Sequence, residues 1–325
     1  MKARTMLLAG LCGVAPALCA QQVDIPAVRL KATIVGETPL DRPTLLKSAA
    51  CDGAGNVYTQ RTPGPEDTRP PIQEITTEAK LGGTFQLPQG YPGDVGAGFV
   101  NRDGVVYMAV HARSGVYVEE FASDGSVRAK TKLEADSYVQ PWLLAVFKSG
   151  EYLLVGITGK GLHTPFTAVF APDGRMVKKI YEPEDEEARQ QWEAGSGWNF
   201  VMLGDVTAGT DGNVYLLHSG SHPLVYVISP TGNVIRKLRI DTGHPDQISR
   251  IKFHAGRLAI QLKGSTGSDQ YLVTVIDTQG NPIGNYEMGR KEINPLALAC
   301  YDSEGFTLVS ESGESKLSLF RAKLP

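Results

Sequence analysis

The chain has 325 residues, with 32 Lys and Arg against 35 Asp and Glu, a formal net charge of −3, and 42% hydrophobic residues. A mildly acidic chain with interspersed signs lacks the basic footprint that nucleic acid or an anionic membrane surface selects. The length suits two ordinary domains or one large all-β domain, and internal repetition decides between them.

The first twenty residues, MKARTMLLAGLCGVAPALCA, carry Lys2 and Arg4, then an apolar run from Met6 to Ala17, and end on the small residue Ala20. This is the pattern of a secretory signal peptide cleaved near Ala20, and it predicts a periplasmic or secreted protein. The run is too short for a transmembrane helix and is broken by Pro16. Cys12 and Cys19 follow Leu11 and Leu18, where a lipidation motif requires a small residue, so a soluble exported protein is expected rather than a lipoprotein. Losing the two cations of the leader takes the charge from −3 to −5 for the remaining 305 residues. No later run approaches membrane-spanning length.

From residue 51 onward one turn and strand recurs. Aligned on glycine, the copies read DGAGNVYTQ at Gly55, NRDGVVYMA at Gly104, KSGEYLLVG at Gly150, TDGNVYLLH at Gly212, HAGRLAIQL at Gly256 and DSEGFTLVS at Gly305, with spacings of 49, 46, 62, 44 and 49 residues. A period in the forties, with strand-forming residues after each turn, indicates a β-propeller with one four-stranded blade per repeat. A second series lies out of phase with the first: FASDGSVRAKTKL, FAPDGRMVKKIYE, ISPTGNVIRKLRI and VIDTQGNPIGNYE, with EITTEAKLGGTFQL in the same phase near Ala79. An alternating strand enters and leaves each of these turns, as expected of a third strand passing to the outermost one.

The sixth repeat ends early, because after Gly305 the chain offers only FTLVS and KLSLFRAKL before Pro325. An unpartnered strand, Ala27 to Val35, precedes the first turn. The reading is therefore an all-β, six-bladed β-propeller over residues 21–325, closed by an N-terminal strand in the last blade, which also hides sheet edges.

DGAGNVYTQ, TDGNVYLLH and the FAPDG and ISPTGN turns resemble the secreted six-bladed propellers related to NHL repeats. The resemblance covers the whole chain after the leader. It implies ligand or protein binding, calcium-assisted lactone or ester hydrolysis, or lyase chemistry, without choosing among them.

Two cysteines remain after the leader, Cys51 and Cys300, each just ahead of an inner turn in blades that closure makes neighbours. In an oxidising compartment they are expected to form a disulfide; the alternative is two separate buried thiols.

The longest spacing marks an insertion, Tyr181 to Phe200, with an expected short helix over Glu184 to Ala194, begun by Pro183 and acidic residues and stopped by Gly195. Trp192 and Trp198 flank its end and either dock the insert onto the blades or line a ligand surface. On the same face, the loops between second and third strands gather Arg61, Arg69, Arg113, Lys160, His163, His218, His222, Lys263, Asp269, Glu311 and Glu314. A ring of cations there suits a small anionic ligand or a protein partner, although surface loops are polar in any case.

His218 and His222 sit in HSGSHP, a hairpin loop by its Gly220 and Pro223, with no third ligand nearby in sequence, so no metal is expected there. The inner strands offer chiefly Asp94 and Asp205 as inward carboxylates, which argues against lactonase-like calcium chemistry. No G-x-S-x-G elbow, Walker loop or C-x-x-C is present, and no cofactor is implied. The reading favours a binding or scaffold module over an enzyme. The alternative is a hydrolase or lyase with a dispersed site around the central channel and His111, His163 or His218 as base.

Overall fold

The computed structural model describes residues 25–40, 43–45, 51–61, 71–86, 96–135, 139–158, 164–180, 204–218, 224–240, 247–263, 270–289, 296–312 and 316–325. The leader and the insertion at 181–200 lie outside these residues, as does the helix expected within it.

The described residues form six sheets, one per repeat, arranged as the blades of a propeller. Two strands, β1 (Ala27–Leu30) and β2 (Ala32–Pro39), precede the repeats. Blade 1 runs outward as β3 (Pro43–Leu45), β4 (Val57–Arg61), β5 (Ile72–Ile75) and β6 (Leu81–Phe85). Blade 2 follows as β7 (Ala97–Val100), β8 (Val106–Ala112), β9 (Gly115–Phe121) and β10 (Val127–Lys132). Blade 3 is β11 (Gln140–Val146), β12 (Tyr152–Thr158), β13 (Thr164–Phe170) and β14 (Met176–Lys179). Blade 4 is β15 (Asp205–Ala208), β16 (Val214–His218), β17 (Leu224–Ile228) and β18 (Val234–Arg239). Blade 5 is β19 (Gln247–His254), β20 (Arg257–Lys263), β21 (Gln270–Asp277) and β22 (Pro282–Gly289). Blade 6 has three strands after blade 5, β23 (Leu296–Tyr301), β24 (Gly305–Ser312) and β25 (Lys316–Lys323).

The repeated turn has one physical cause. The Gly55 N–H donates to the Asp52 carbonyl at 3.3 Å, and the Asp52 N–H to the Asn56 carbonyl at 3.1 Å. Gly55 sits at φ 89°, the left-handed position that ends a type I turn in a G1 bulge and that glycine adopts without cost. The Asp52 side chain completes the turn, with Oδ1 accepting the Ala54 and Asn56 N–H groups at 2.9 Å each. The same bonding closes the turns between third and fourth strands, where Asp277 accepts from Gln279 and Asn281 at 2.8 Å each. In blade 1 that left-handed position falls to Ala79, at φ 58°, which explains why this turn read as the irregular member of its series.

Closure is as expected in kind and shifted in place. β2 pairs antiparallel with β25, from Ala32 opposite Ala322 to Pro39 opposite Lys316, and becomes the fourth strand of blade 6. The expected single strand from Ala27 is instead split at Lys31. Its first half, β1, pairs parallel with β22, from Ala27 opposite Asn285 to Leu30 opposite Met288, and adds a fifth strand to blade 5. The chain thus crosses from one blade rim to the next within one residue, so the N-terminal segment clasps two blades.

The core lies between the blades. One cluster runs from Tyr58 through blades 2 and 3 to Ile228, and others join blade 4 to 5 and blade 5 to 6. A cluster of Leu40, Val57, Ile75, Ala79, Cys300 and Leu317, with neighbours, straddles the closing junction. There Thr38 Oγ1 donates to the Ala79 carbonyl at 2.7 Å. Gly36 passes so near that a Cβ on it would lie 2.8 Å from the Ala79 Cβ.

Removing the chain through Pro39 should expose the β25 edge and yield oligomers with a lowered melting temperature. Removal only through Leu30 should leave the ring closed and monomeric. Size-exclusion chromatography with thermal melts distinguishes the two, and Gly36→Leu should shift the melt in the same direction as the longer deletion.

Candidate functional site

Because each first-to-second-strand turn lies at the same end of its blade, the six turns encircle one end of the central channel. They enclose a cavity of about 470 Å³, walled by Cys51–Gly55, Phe99–Asp103, Val146–Phe147, Thr207–Thr210, Lys252–His254 and Cys300–Asp302. All six blades contribute to it. This is the end opposite to the loops between second and third strands.

Its charges divide into those already used and those available. Asp52 is held by its own turn and also accepts from Tyr58 Oη at 3.1 Å. Asp302 accepts the N–H groups of Glu304 at 2.8 Å and Gly305 at 3.1 Å and pairs with Arg321. These donors, against the effect of burial, hold its carboxyl below the usual range. Burial, then Asp52, pushes the Tyr58 phenol far above its ordinary value, so it remains a donor.

Deeper in the channel wall, Asp205 is fully buried and Lys252 is 5% exposed, with Lys252 Nζ 3.3 Å from Asp205 Oδ2. Asp205 also accepts the Val206 and Ile251 N–H groups at 2.9 Å each. Burial raises the carboxyl above its ordinary range, opposed by Lys252, Arg250 and the two N–H donors. Asp205, foreseen as an inward carboxylate, therefore tethers blade 4 to blade 5. A buried charge keeps its place only with such partners.

His254 sits at the tip of β19, its ring edge-on to Tyr301 at 5.8 Å. Burial and then Arg102 push its imidazole below the usual value, with Asp302 pulling weakly the other way. Arg102 and Lys148 stand exposed at the cavity rim, and among the described residues neither has a carboxylate partner. Asp103 lies beside them.

Cys51 and Cys300 meet on the cavity wall. Both are free cysteines, so the expected disulfide is not formed in this structure. Their adjacency is as foreseen; what is missing is the oxidation, not the approach. Burial first, and contact with Cys51 second, push the Cys300 thiol well above its ordinary range.

The residues expected from sequence stand as follows. His218 is the last residue of β16, 6% exposed, with its ring 6.4 Å from Tyr226. It packs within the blade and does not project from a loop. Arg113 is exposed in the tight turn between β8 and β9, and Arg61 is the last residue of β4. His111 lies on β8 opposite Val116. Lys160, His163, Trp192, Trp198 and His222, with Arg69, Asp94, Asp269 and Glu314, lie outside the described residues. Among the described residues no group of three His, Cys, Asp or Glu is placed to hold a metal ion, and no helix is long and apolar enough to cross a membrane.

Sequence reasoning missed Arg102, Phe147, Lys148, Lys252 and His254. The signal was present, because all stand within four residues of a repeat glycine and so share one end of the ring.

No family model matches the chain, and no curated protein does. Among solved structures, it resembles a gluconolactonase from Xanthomonas campestris, at 9% identity over 90% of this chain and 89% of that one, with a TM-score of 0.49. It resembles a member of the DUF4221 family from Bacteroides vulgatus, at 12% identity over 93% and 99%, with a TM-score of 0.47. It also resembles YCF48 bound to D1 peptide, at 12% identity over 92% and 98%, with a TM-score of 0.48. At these values none bears on the role of any residue.

The lowered imidazole makes a pH prediction. The folded chain holds a proton on His254 less tightly than the unfolded chain, so below the ordinary pKa of about 6.5 the unfolded state binds more protons and gains on the folded one. Stability contributed by neutral His254 is present above that value and lost as the pH falls. Thermal melts at pH 7 and pH 5 should show a smaller acid-side loss in His254→Gln than in the unaltered protein.

Proposed function

We propose that this chain is an exported binding propeller of the NHL-repeat type, whose ligand is a small organic anion with an apolar face, held in the cavity encircled by the six inner turns. The cavity itself carries the reading. Its volume falls in the range that encloses small molecules, and aromatic side chains share its wall with charged and polar ones. Phe99, Phe147, Phe253 and Tyr301 supply apolar faces. Arg102 stands exposed at the rim and, among the described residues, has no carboxylate partner, so it can receive the carboxylate of a ligand. A guanidinium binds a carboxylate through paired N–H donors.

The test is a thermal-shift series with small aromatic and aliphatic carboxylates beside their uncharged amides. A binding carboxylate at a hundred times its Kd stabilises by about 2.7 kcal/mol; its amide should not, and Arg102→Ala should abolish the shift. Equal shifts by the amides, or an unchanged response in Arg102→Ala, would refute the site.

The hydrolase or lyase reading draws on one observation. A base working near pH 7 must be neutral there, and His254 is pushed in that direction on the wall of the cavity. Among the described residues, however, no carboxylate hydrogen-bonds its ring to orient it. Turnover of a lactone or ester, lost in His254→Gln with carboxylate binding retained, would place this reading first.

Export also bears on the cysteines. In an oxidising compartment Cys51 and Cys300 form a disulfide in this proposal, locking blade 6 to blade 1. Mass spectrometry of non-reduced peptides should find them linked, and reduction should cost about 2–4 kcal/mol because the bond spans most of the chain. Two free thiols in protein recovered from the periplasm or the medium would remove the lock.

A further inference from the structure

The outer parts of the blades carry many cations, and in blades 1, 2 and 6 several are answered by nearby carboxylates. In blade 2, Lys130 lies 2.7 Å from Glu119 and Arg128 3.2 Å from Glu120. On the closing strands Lys316 meets Glu37 at 3.2 Å, and in blade 1 Lys80 meets Glu78 at 2.6 Å. The junction of blades 3 and 4 departs from this. There a groove of about 330 Å³ runs between β14 and β18, lined by Lys178, Lys179, Arg236 and Lys237 together with Ile180, Tyr226 and Gly232–Ile235. Among the described residues no carboxylate lines it.

Three of these cations are held by neutral groups. Lys178 donates to Asn233 Oδ1 at 2.7 Å, across the two blades. Arg236 donates to the Thr278 carbonyl at 2.8 Å. Lys237 Nζ lies over the Tyr226 ring at 5.5 Å. Neutral partners fix these side chains and leave their charge uncompensated, and among the described residues none of the three has an acidic partner. Beside them Ile235 is 56% exposed and Val177 38% exposed.

We infer that this groove is a docking site for an acidic, extended peptide segment of a partner protein. Two features select an extended peptide among anions. β14 and β18 are the outermost strands of their sheets, and such edges accept an added strand through main-chain hydrogen bonds while side chains set specificity. The chain does this to itself, since β1 lies along the rim strand of blade 5. The exposed apolar residues beside the charges suit a segment that carries aliphatic as well as acidic residues. This surface is distinct from the cavity at the channel end and stands or falls separately from the proposed ligand there.

The test is fluorescence anisotropy on the full chain with a labelled peptide alternating Glu and Val, compared with the same peptide carrying Gln for Glu. The Glu peptide should bind, weaken steeply as salt rises, and lose about tenfold or more in affinity when Lys178, Arg236 and Lys237 are changed to Gln together. Lys178→Gln and Lys237→Gln alone give the same comparison if the triple variant melts early. Lys178→Glu with Lys237→Glu should transfer preference to a peptide alternating Lys and Val. Indifference to the Glu-to-Gln change, or affinity unaltered by the substitutions, would overturn the proposal. So would tighter binding, through the same cations, of inorganic polyphosphate or of vesicles containing phosphatidylglycerol.

Discussion

Everything in this molecule hangs on the pairing of β2 with β25. Five repeats supply four strands each and the sixth supplies three, so the ring closes only because a segment from the start of the chain takes the last place. Main-chain hydrogen bonding alone would permit the strand to slip. Register is fixed by what lies behind it: the Thr38 hydroxyl on the Ala79 carbonyl, Gly36 passing against Ala79, and the cluster from Leu40 to Leu319 that joins blade 6 to blade 1. A slip by one residue would turn the buried Thr38 outward and bring the exposed Glu37 into the junction, which packing forbids.

From that closure the cavity follows. A channel end walled by six turns exists only if all six stand in a ring, and the side chains lining it come from segments more than two hundred residues apart in sequence. Cys51 and Cys300, Arg102 and His254, Asp205 and Lys252 are each brought together by the geometry of the ring and by nothing local. Buried polar bonds between blades serve the same end: Asp205 takes the Ile251 N–H, and Gln261 takes the Leu298 N–H at 2.7 Å. Removing such an acceptor would strand a buried N–H, at a cost exceeding the net worth of an ordinary hydrogen bond.

The fold was legible because its repeated element has a strict local requirement. A left-handed residue at the end of each tight turn demands glycine, as at Gly55 and Gly212, and that demand prints a period onto the sequence. Where the demand is met otherwise, as at Ala79, the signal fades. The break of the N-terminal strand at Lys31 was not legible, since both halves are apolar-alternating and only the positions of two neighbouring blade rims decide which edge each half joins. The site was less legible still. Loop chemistry between second and third strands drew the eye to Lys160, His163 and the tryptophans, while Arg102, Lys252 and His254 were hidden in plain repeat positions, because a turn residue's outward role depends on which turns share an end.

The cavity and the groove between blades 3 and 4 illustrate two uses of charge in one scaffold. In the cavity the carboxylates of Asp52 and Asp302 are consumed by turn N–H groups and Arg321 and the buried Lys252 is matched by Asp205, so for the proposed ligand selectivity would fall to the rim groups beside the aromatic walls. In the groove the cations are exposed and screened beyond about 10 Å at ordinary salt, so single contacts are weak and binding must come from several acting together along an extended partner. A ring whose blades are joined by buried apolar contacts can carry both proposed surfaces, and the wall they share is blade 4, where Tyr226 lines the groove and Thr207 to Thr210 line the channel end.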